Sequence, residues 1–147
     1  MAGFDKCTND LINVHLHNCD RPGYNRGMSS TNAKIGTSPD RVLGTAVLRA
    51  AELLGLSRSE LSKVLGRDRS SISRSGVVPS SKAGELATLL IRCYRSLAVL
   101  VDNNNDQMLE WMTTPNRHTG GIPREQFQSV AGLVAVTEYL DAIRAKV

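Results

Sequence analysis

The sequence predicts an all-α fold in which a helix-turn-helix bundle precedes a smaller helical module. From Pro39 onward, apolar residues recur at three- and four-residue spacings, the period of one helix face. Helix-starting residues and glycines fall at the ends of those stretches. Hydrophobic residues make up 41% of the 147 and aromatics only 4%, so the core must come from Leu, Val, Ile and Ala, which suits helices.

Residues 1–38 differ from the rest. Turn-forming residues crowd in Arg21-Pro22-Gly23-Tyr24-Asn25-Arg26-Gly27 and Ser29-Ser30-Thr31-Asn32, and Leu11 to His17 alternates apolar and polar like a strand with no clear partner. We expect a flexible or partner-ordered arm here. Residues 39–101 are expected to form the DNA-binding domain and residues 102–147 the second module. The first helix carries Val42, Leu43, Ala46, Val47, Ala50 and Leu54 on one face, with Asp40 favouring its N-terminal dipole and Gly55 placed for a left-handed cap. Ser57 and Glu60 have the spacing of a capping box, and Leu61, Val64 and Leu65 supply a buried face before Gly66. Asp68 is a good N-cap for a third helix through Ile72 to Arg74, which Gly76 and Pro79 interrupt.

Residues 84–101 are the most apolar segment. Leu86, Leu90, Cys93, Leu97 and Leu100 fall at helical spacing, as befits a helix central to a core or buried between two subunits. After Asp102 to Asn105 three shorter helices are expected. The first contains Met108, Leu109, Trp111 and Met112; the second opens at Pro123; the third is capped by Ser129 and shows Leu133, Val136, Leu140, Ile143 and Val147 on one side. That last stripe is expected to pack mainly on Trp111 and Phe127.

The segment from Leu56 to Arg74 has the physics of a helix-turn-helix. Two short helices meet at a glycine, few apolar residues point inward, and the outward face of the second carries Arg69, Ser70, Ser71, Ser73 and Arg74. Such groups reach phosphates and base edges. The whole chain has a formal charge of +4; within this segment Arg58, Lys63, Arg67, Arg69 and Arg74 oppose only Glu60 and Asp68, a local excess of three positive charges. Localisation turns a weak global signal into one that favours double-stranded DNA. Arg69, Ser70, Ser71 and Arg74 are the candidates for groove contacts, and Ser57, Lys63 and Arg67 for phosphates. A two-fold homodimer would then read an inverted-repeat operator.

Other chemistry finds little support. Cys7, His15, His17 and Cys19 could be imagined around zinc, but their spacing is not that of paired C-x-x-C sites, so no metal is expected. Cys93 reads as a small buried hydrophobe. There is no Gly-rich phosphate loop, nucleophile elbow or carboxylate pair, so neither an enzyme nor a cofactor is expected. The odd number of cysteines, with no apolar leader and no run approaching a membrane span, points to a reduced, cytoplasmic protein without membrane contact.

Trp111, Pro115-Asn116, Gly120-Gly121, Pro123 and Gly132 together resemble the C-terminal domain of the Xre/MbcA/ParS antitoxins: a Trp-containing helix, a Pro-Asn loop, a Gly-rich link to a Pro, and a last helix with Gly near its start. The upstream helix-turn-helix and the long helix with Tyr94-Arg95-Ser96-Leu97 agree, so the resemblance covers about residues 40–147. The chain departs from it at Ser129-Val130-Ala131-Gly132, where an acidic residue commonly precedes the glycine. The resemblance implies an Xre-like helix-turn-helix followed by a toxin-binding module. It also implies a type II antitoxin that neutralises a RES-type, NAD-consuming toxin and represses its own operon. Arg124, Arg144, Lys146 and Val147 are the candidate toxin contacts, the last three as a basic tail entering a partner's cleft. The competing readings are a stand-alone phage-like repressor and an adaptor whose helix-turn-helix only packs.

Overall fold

The structure, a computed structural model, describes residues 38–146. The expected arm, the strand-like segment, the Cys7/His15/His17/Cys19 set and Val147 lie outside the described residues. Those described form seven α-helices and no strand: α1 (Pro39–Leu53), α2 (Arg58–Leu65), α3 (Arg69–Ser75), α4 (Lys82–Leu100), α5 (Asn105–Thr113), α6 (Pro123–Gln126) and α7 (Val130–Arg144).

Local chemistry explains where most of them begin. The hydroxyls of Ser38, Ser57, Ser81 and Ser129 and the side-chain oxygens of Asp68 and Asn104 each accept an N–H from the first turn that follows. α6 has no such cap and starts on Pro123, whose missing N–H leaves one donor fewer to satisfy. α4 opens two residues before the apolar run because Ser81 accepts from Gly84 N–H at 3.1 Å. The polar run after α4 does more than stop it. Asp102 and Asn103 both adopt left-handed backbone (φ 51° and 57°), a conformation these residue types tolerate, and Asn104 then caps α5.

α4 is the centre of the fold and packs most extensively against α7 and α1. Its buried positions include Gly84, Ala87, Leu90, Cys93, Ser96 and Leu97. A helix that the sequence left open between core and subunit interface therefore turns most of its stripe into its own chain's core; Val99 is the large apolar residue it leaves exposed. Leu133, Val136 and Leu140 of α7 are fully buried, and the partner they find is chiefly α4, with α6 second, rather than Trp111. Phe127 is fully buried, whereas Trp111 is only half-buried. One continuous apolar cluster runs from Val47 in α1 to Leu140 in α7, across the expected boundary at residue 101. Burial of each such side chain contributes about 1.5–3 kcal/mol, so the helix-turn-helix and the carboxy-terminal segment stabilise each other through α4.

Backbone contact fixes α3 against α1. Gly76 follows α3 with φ +73° and ψ −163°, and Val77 N–H donates to Asp40 C=O at 2.8 Å. A Cβ on Gly76 would collide with that Asp40 carbonyl, and one on Gly44 would come within 2.9 Å of the Gly76 Cα. Two glycines thus let the end of α3 lie directly on α1.

Candidate nucleic-acid interface

Ser57 and Glu60 close the start of α2 reciprocally. Ser57 Oγ accepts Glu60 N–H at 3.3 Å while Glu60 Oε2 accepts Ser57 N–H at 2.7 Å, completing the capping box. Gly66 then ends the helix in left-handed backbone (φ 65°) and donates its N–H to Ser62 C=O. Two residues later Asp68 opens α3, accepting from Ser71 N–H at 2.8 Å and from the Ser70 hydroxyl. The Ser70 hydroxyl, then the Ser71 N–H, hold the Asp68 carboxyl below the usual carboxylate range. That charge serves the first turn of α3.

Ile72, 1% exposed, anchors α3 inward and so turns the opposite face out. Between α2 and α3 lies an open groove of about 510 Å³ lined by Arg58, Ser59, Ser62, Asp68, Arg69, Ser70 and Ser73. Arg69 and Ser70 of the expected set meet there. Arg74 is exposed one turn on, with Nε 3.4 Å from Ser70 C=O. Others are occupied elsewhere. Arg67 donates to Gly76 C=O at 3.3 Å and to Ser71 Oγ at 3.1 Å, tying the turn before α3 to its end. Lys63 Nζ lies 3.4 Å from Gln128 Oε1, on the side of α2 that faces the carboxy-terminal segment. Ser57, committed to the capping box, remains exposed.

Arg58, Ser59 and Ser62 were not among the expected contacts. Part of the signal lay in their spacing, since Ser62 is four residues after Arg58 and three after Ser59 and so neighbours both on the helix surface. The groove chemistry is cationic and hydroxyl-rich: two guanidinium groups and four hydroxyls, with one carboxylate already engaged. Such a surface donates to phosphate oxygens and base edges.

The carboxy-terminal segment is organised by a closed loop. Asn116 and Gly121 exchange backbone hydrogen bonds, Asn116 N–H to Gly121 C=O at 2.8 Å and Gly121 N–H to Asn116 C=O at 3.2 Å. Asn116 Oδ1 accepts His118 N–H at 2.9 Å, and the His118 ring stacks on Tyr139 of α7 with centroids 5.5 Å apart. Gly132 lies against Gln126 C=O so closely that a Cβ would collide with it. Gly132, and Gly120 with its φ of +81°, are therefore backbone requirements.

Of the expected toxin contacts, Arg124 is engaged within the chain. Its Nε and Nη2 reach Glu60 Oε1 and Oε2 at 2.8 and 2.9 Å, a two-pronged ion pair between α6 and α2. Arg124, then burial working against it and the Ser57 contacts, leave the Glu60 carboxyl at about 2. Arg144 is exposed, 3.9 Å from Asp141, and borders a hollow with Thr88, Ile91, Arg92 and Arg95. Lys146 is exposed. No group of three or more His, Cys, Asp or Glu that could hold a metal is found among the described residues.

A helix-turn-helix with a polar, basic outer face, sharing its core with an appended helical segment, defines a DNA-binding protein with a second module. Residues 35–92 match the model of the antitoxin Xre-like helix-turn-helix domain, and residues 96–146 that of the antitoxin Xre/MbcA/ParS C-terminal toxin-binding domain. The two matches follow one another along the chain and together take in about three quarters of it. The chain belongs to the Xre/MbcA/ParS antitoxin family. A search of curated proteins finds no match to it. No helix among the described residues is long and apolar enough to cross a membrane.

Proposed function

We propose that this antitoxin neutralises a RES-type, NAD-consuming toxin by direct binding and represses the operon that encodes both. The observation that carries the DNA half is the open groove between α2 and α3, where Arg58, Arg69, Ser70 and Ser73 stand together. With Ile72 buried behind it, α3 can enter a major groove with its first turn toward the bases. The protein acts as a cytoplasmic homodimer that reads an inverted repeat with half-sites about one DNA turn, ~34 Å, apart. The toxin half is supported by the toxin-binding match over residues 96–146 and by the motif likeness that links such domains to RES partners. Arg144, Lys146 and Val147 form the basic end that meets the toxin. The reading assigns it no catalysis and no cofactor.

The test is co-expression with the adjacent reading frame, followed by gel shifts on the upstream DNA at matched salt. Arg69→Ala should lower operator affinity about 5- to 100-fold and relax specificity, the range for one lost base contact. Affinity should also fall steeply as salt rises, because phosphate contacts release counterions. Operator binding by Arg69→Ala equal to that of the parent removes Arg69 from the interface.

A further inference from the structure

We infer that Arg124, which lies in the toxin-binding domain, is a positioning residue for DNA recognition: it holds α2 in place through Glu60. The inference rests on the proposed reading that the α2–α3 groove binds operator DNA. α2 has eight residues and α3 seven, too few for either to be stable alone, so their orientation comes from what they are fastened to. α3 is fastened by the glycine contact with α1. The fastening of α2 includes the Arg124 fork, and a single carboxylate does two things at once. Glu60 Oε2 accepts Ser57 N–H to close the first turn of α2, and both its oxygens receive Arg124 from α6.

The pair is well placed to matter. The Glu60 side chain is only 16% accessible, and the guanidinium fork fixes direction as well as distance. Arg58 and Ser59, immediately before Glu60, form one wall of the groove, and Ser62 follows two residues later. A tilt of the first turn of α2 would move that wall relative to Arg69 and Ser70. Lys63 and Gln128 add a second polar contact between α2 and the α6–α7 link. The toxin-binding domain is thereby part of the DNA-binding apparatus without touching DNA. Whatever binds it and alters Arg124 alters operator affinity, and by linkage the operator alters that binding to the same degree.

The experiment compares the full chain with Arg124→Gln, Glu60→Gln and the double variant, using operator affinity across a salt series and hydrogen exchange without DNA. Glutamine at position 60 can still accept the Ser57 N–H, so this variant separates the strut from the cap. Each single change should weaken operator binding about tenfold, as expected for losing a charge-assisted fork, and the double should be no weaker than either. Arg124→Lys should restore only part, since an ammonium has no fork. The salt slope should stay at the parent value; removing a direct phosphate contact would lower it by about 0.9. Without DNA, the α2 amides should exchange faster in Arg124→Gln while those of α7 keep their protection. Parent-like affinity in Arg124→Gln, additive losses in the double, or a reduced salt slope overturns the positioning role. If the parent itself shows no salt-dependent operator binding, the DNA-binding reading falls and takes the positioning role with it. A parent that binds alongside an unaffected Arg124→Gln sinks only the inference.

Discussion

The α2–α3 pair and the α6–α7 segment reach order by different means. In α2–α3 the helix ends are set by short-range interactions: a capping box, an Asp cap, a left-handed glycine and Arg67 spanning the turn, all within 20 residues of one another. Little of it is core beyond Leu61, Val64, Leu65 and Ile72. In α6–α7 the governing interactions reach across the chain, with Arg124 on Glu60 64 residues away and Ser96 Oγ donating to Asp141 Oδ1 45 residues away. The difference has a functional sense. A short, locally held pair leaves its outer face free for a ligand, while a module fastened to the core can report on that pair.

The largest effect should come from the backbone of the first region. Gly76 combines φ +73°, ψ −163°, a conformation essentially reserved for glycine, with direct contact on Asp40. Gly76→Ala should therefore cost roughly 3–5 kcal/mol, from strain plus collision. Gly66 also has positive φ, but nothing lies within 4 Å of a Cβ placed there. Gly66→Ala should cost only about 1–2 kcal/mol. Urea unfolding of the two variants checks the contrast, and equal losses would mean that the α1–α3 contact contributes little.

Next in size is a test of whether the two regions are separable. Ile72 and Leu140 are each buried to within 1% of completely, one in each region and both in one apolar cluster. Ile72→Ala and Leu140→Ala should each lower stability by roughly 2–5 kcal/mol. Both should shift one and the same transition, because α4 contributes to the core of each region. The measurement is thermal unfolding followed by circular dichroism and by Trp111 fluorescence. Transitions that separate in either variant would mark a thermodynamic boundary near residue 101.

How much of this was legible in the sequence follows from the same contrast. Ser57, Glu60, Gly66 and Asp68 announce their roles by spacing alone, since capping chemistry operates over three residues, and the fold class follows from apolar period. The groove was half legible: Arg69 and Ser70 were expected there, while Arg58, Ser59 and Ser62 needed α2 to be seen lying against α3. Arg124 could be picked out as a charge in the second module, but its partner is 64 residues away and spacing has no bearing on it. Arg67 is a parallel case, a basic residue in a basic segment whose donors turn to Gly76 and Ser71. For α7 the stripe was legible and its partner was not, because Trp111 and α4 offer equally apolar surfaces to a reader without distances.

The smallest effect sharpens the ion-pair link between the regions. Glu60 titrates at about 2 instead of its ordinary 4.5, chiefly because Arg124 hydrogen-bonds the ionised form. A carboxyl with a depressed folded pKa adds stability that is fully present above the unfolded value and is lost as pH falls through the folded one. The window is therefore about pH 4.5 down to 2. A shift of that size corresponds to at most ~3 kcal/mol, and screening at the partly exposed Arg124 reduces it to about 1–2 kcal/mol. Glu60→Gln should be less stable than the parent at pH 7 by that amount, and the gap should close as the pH approaches 2. Arg124→Gln should show the same closing gap, since it removes the main cause of the shift. Denaturant midpoints at pH 7, 4 and 2.5 measure it. A gap that persists unchanged at pH 2.5 would mean that the ionised Glu60–Arg124 pair does not contribute, leaving the two regions joined by apolar contact and the Lys63–Gln128 bond.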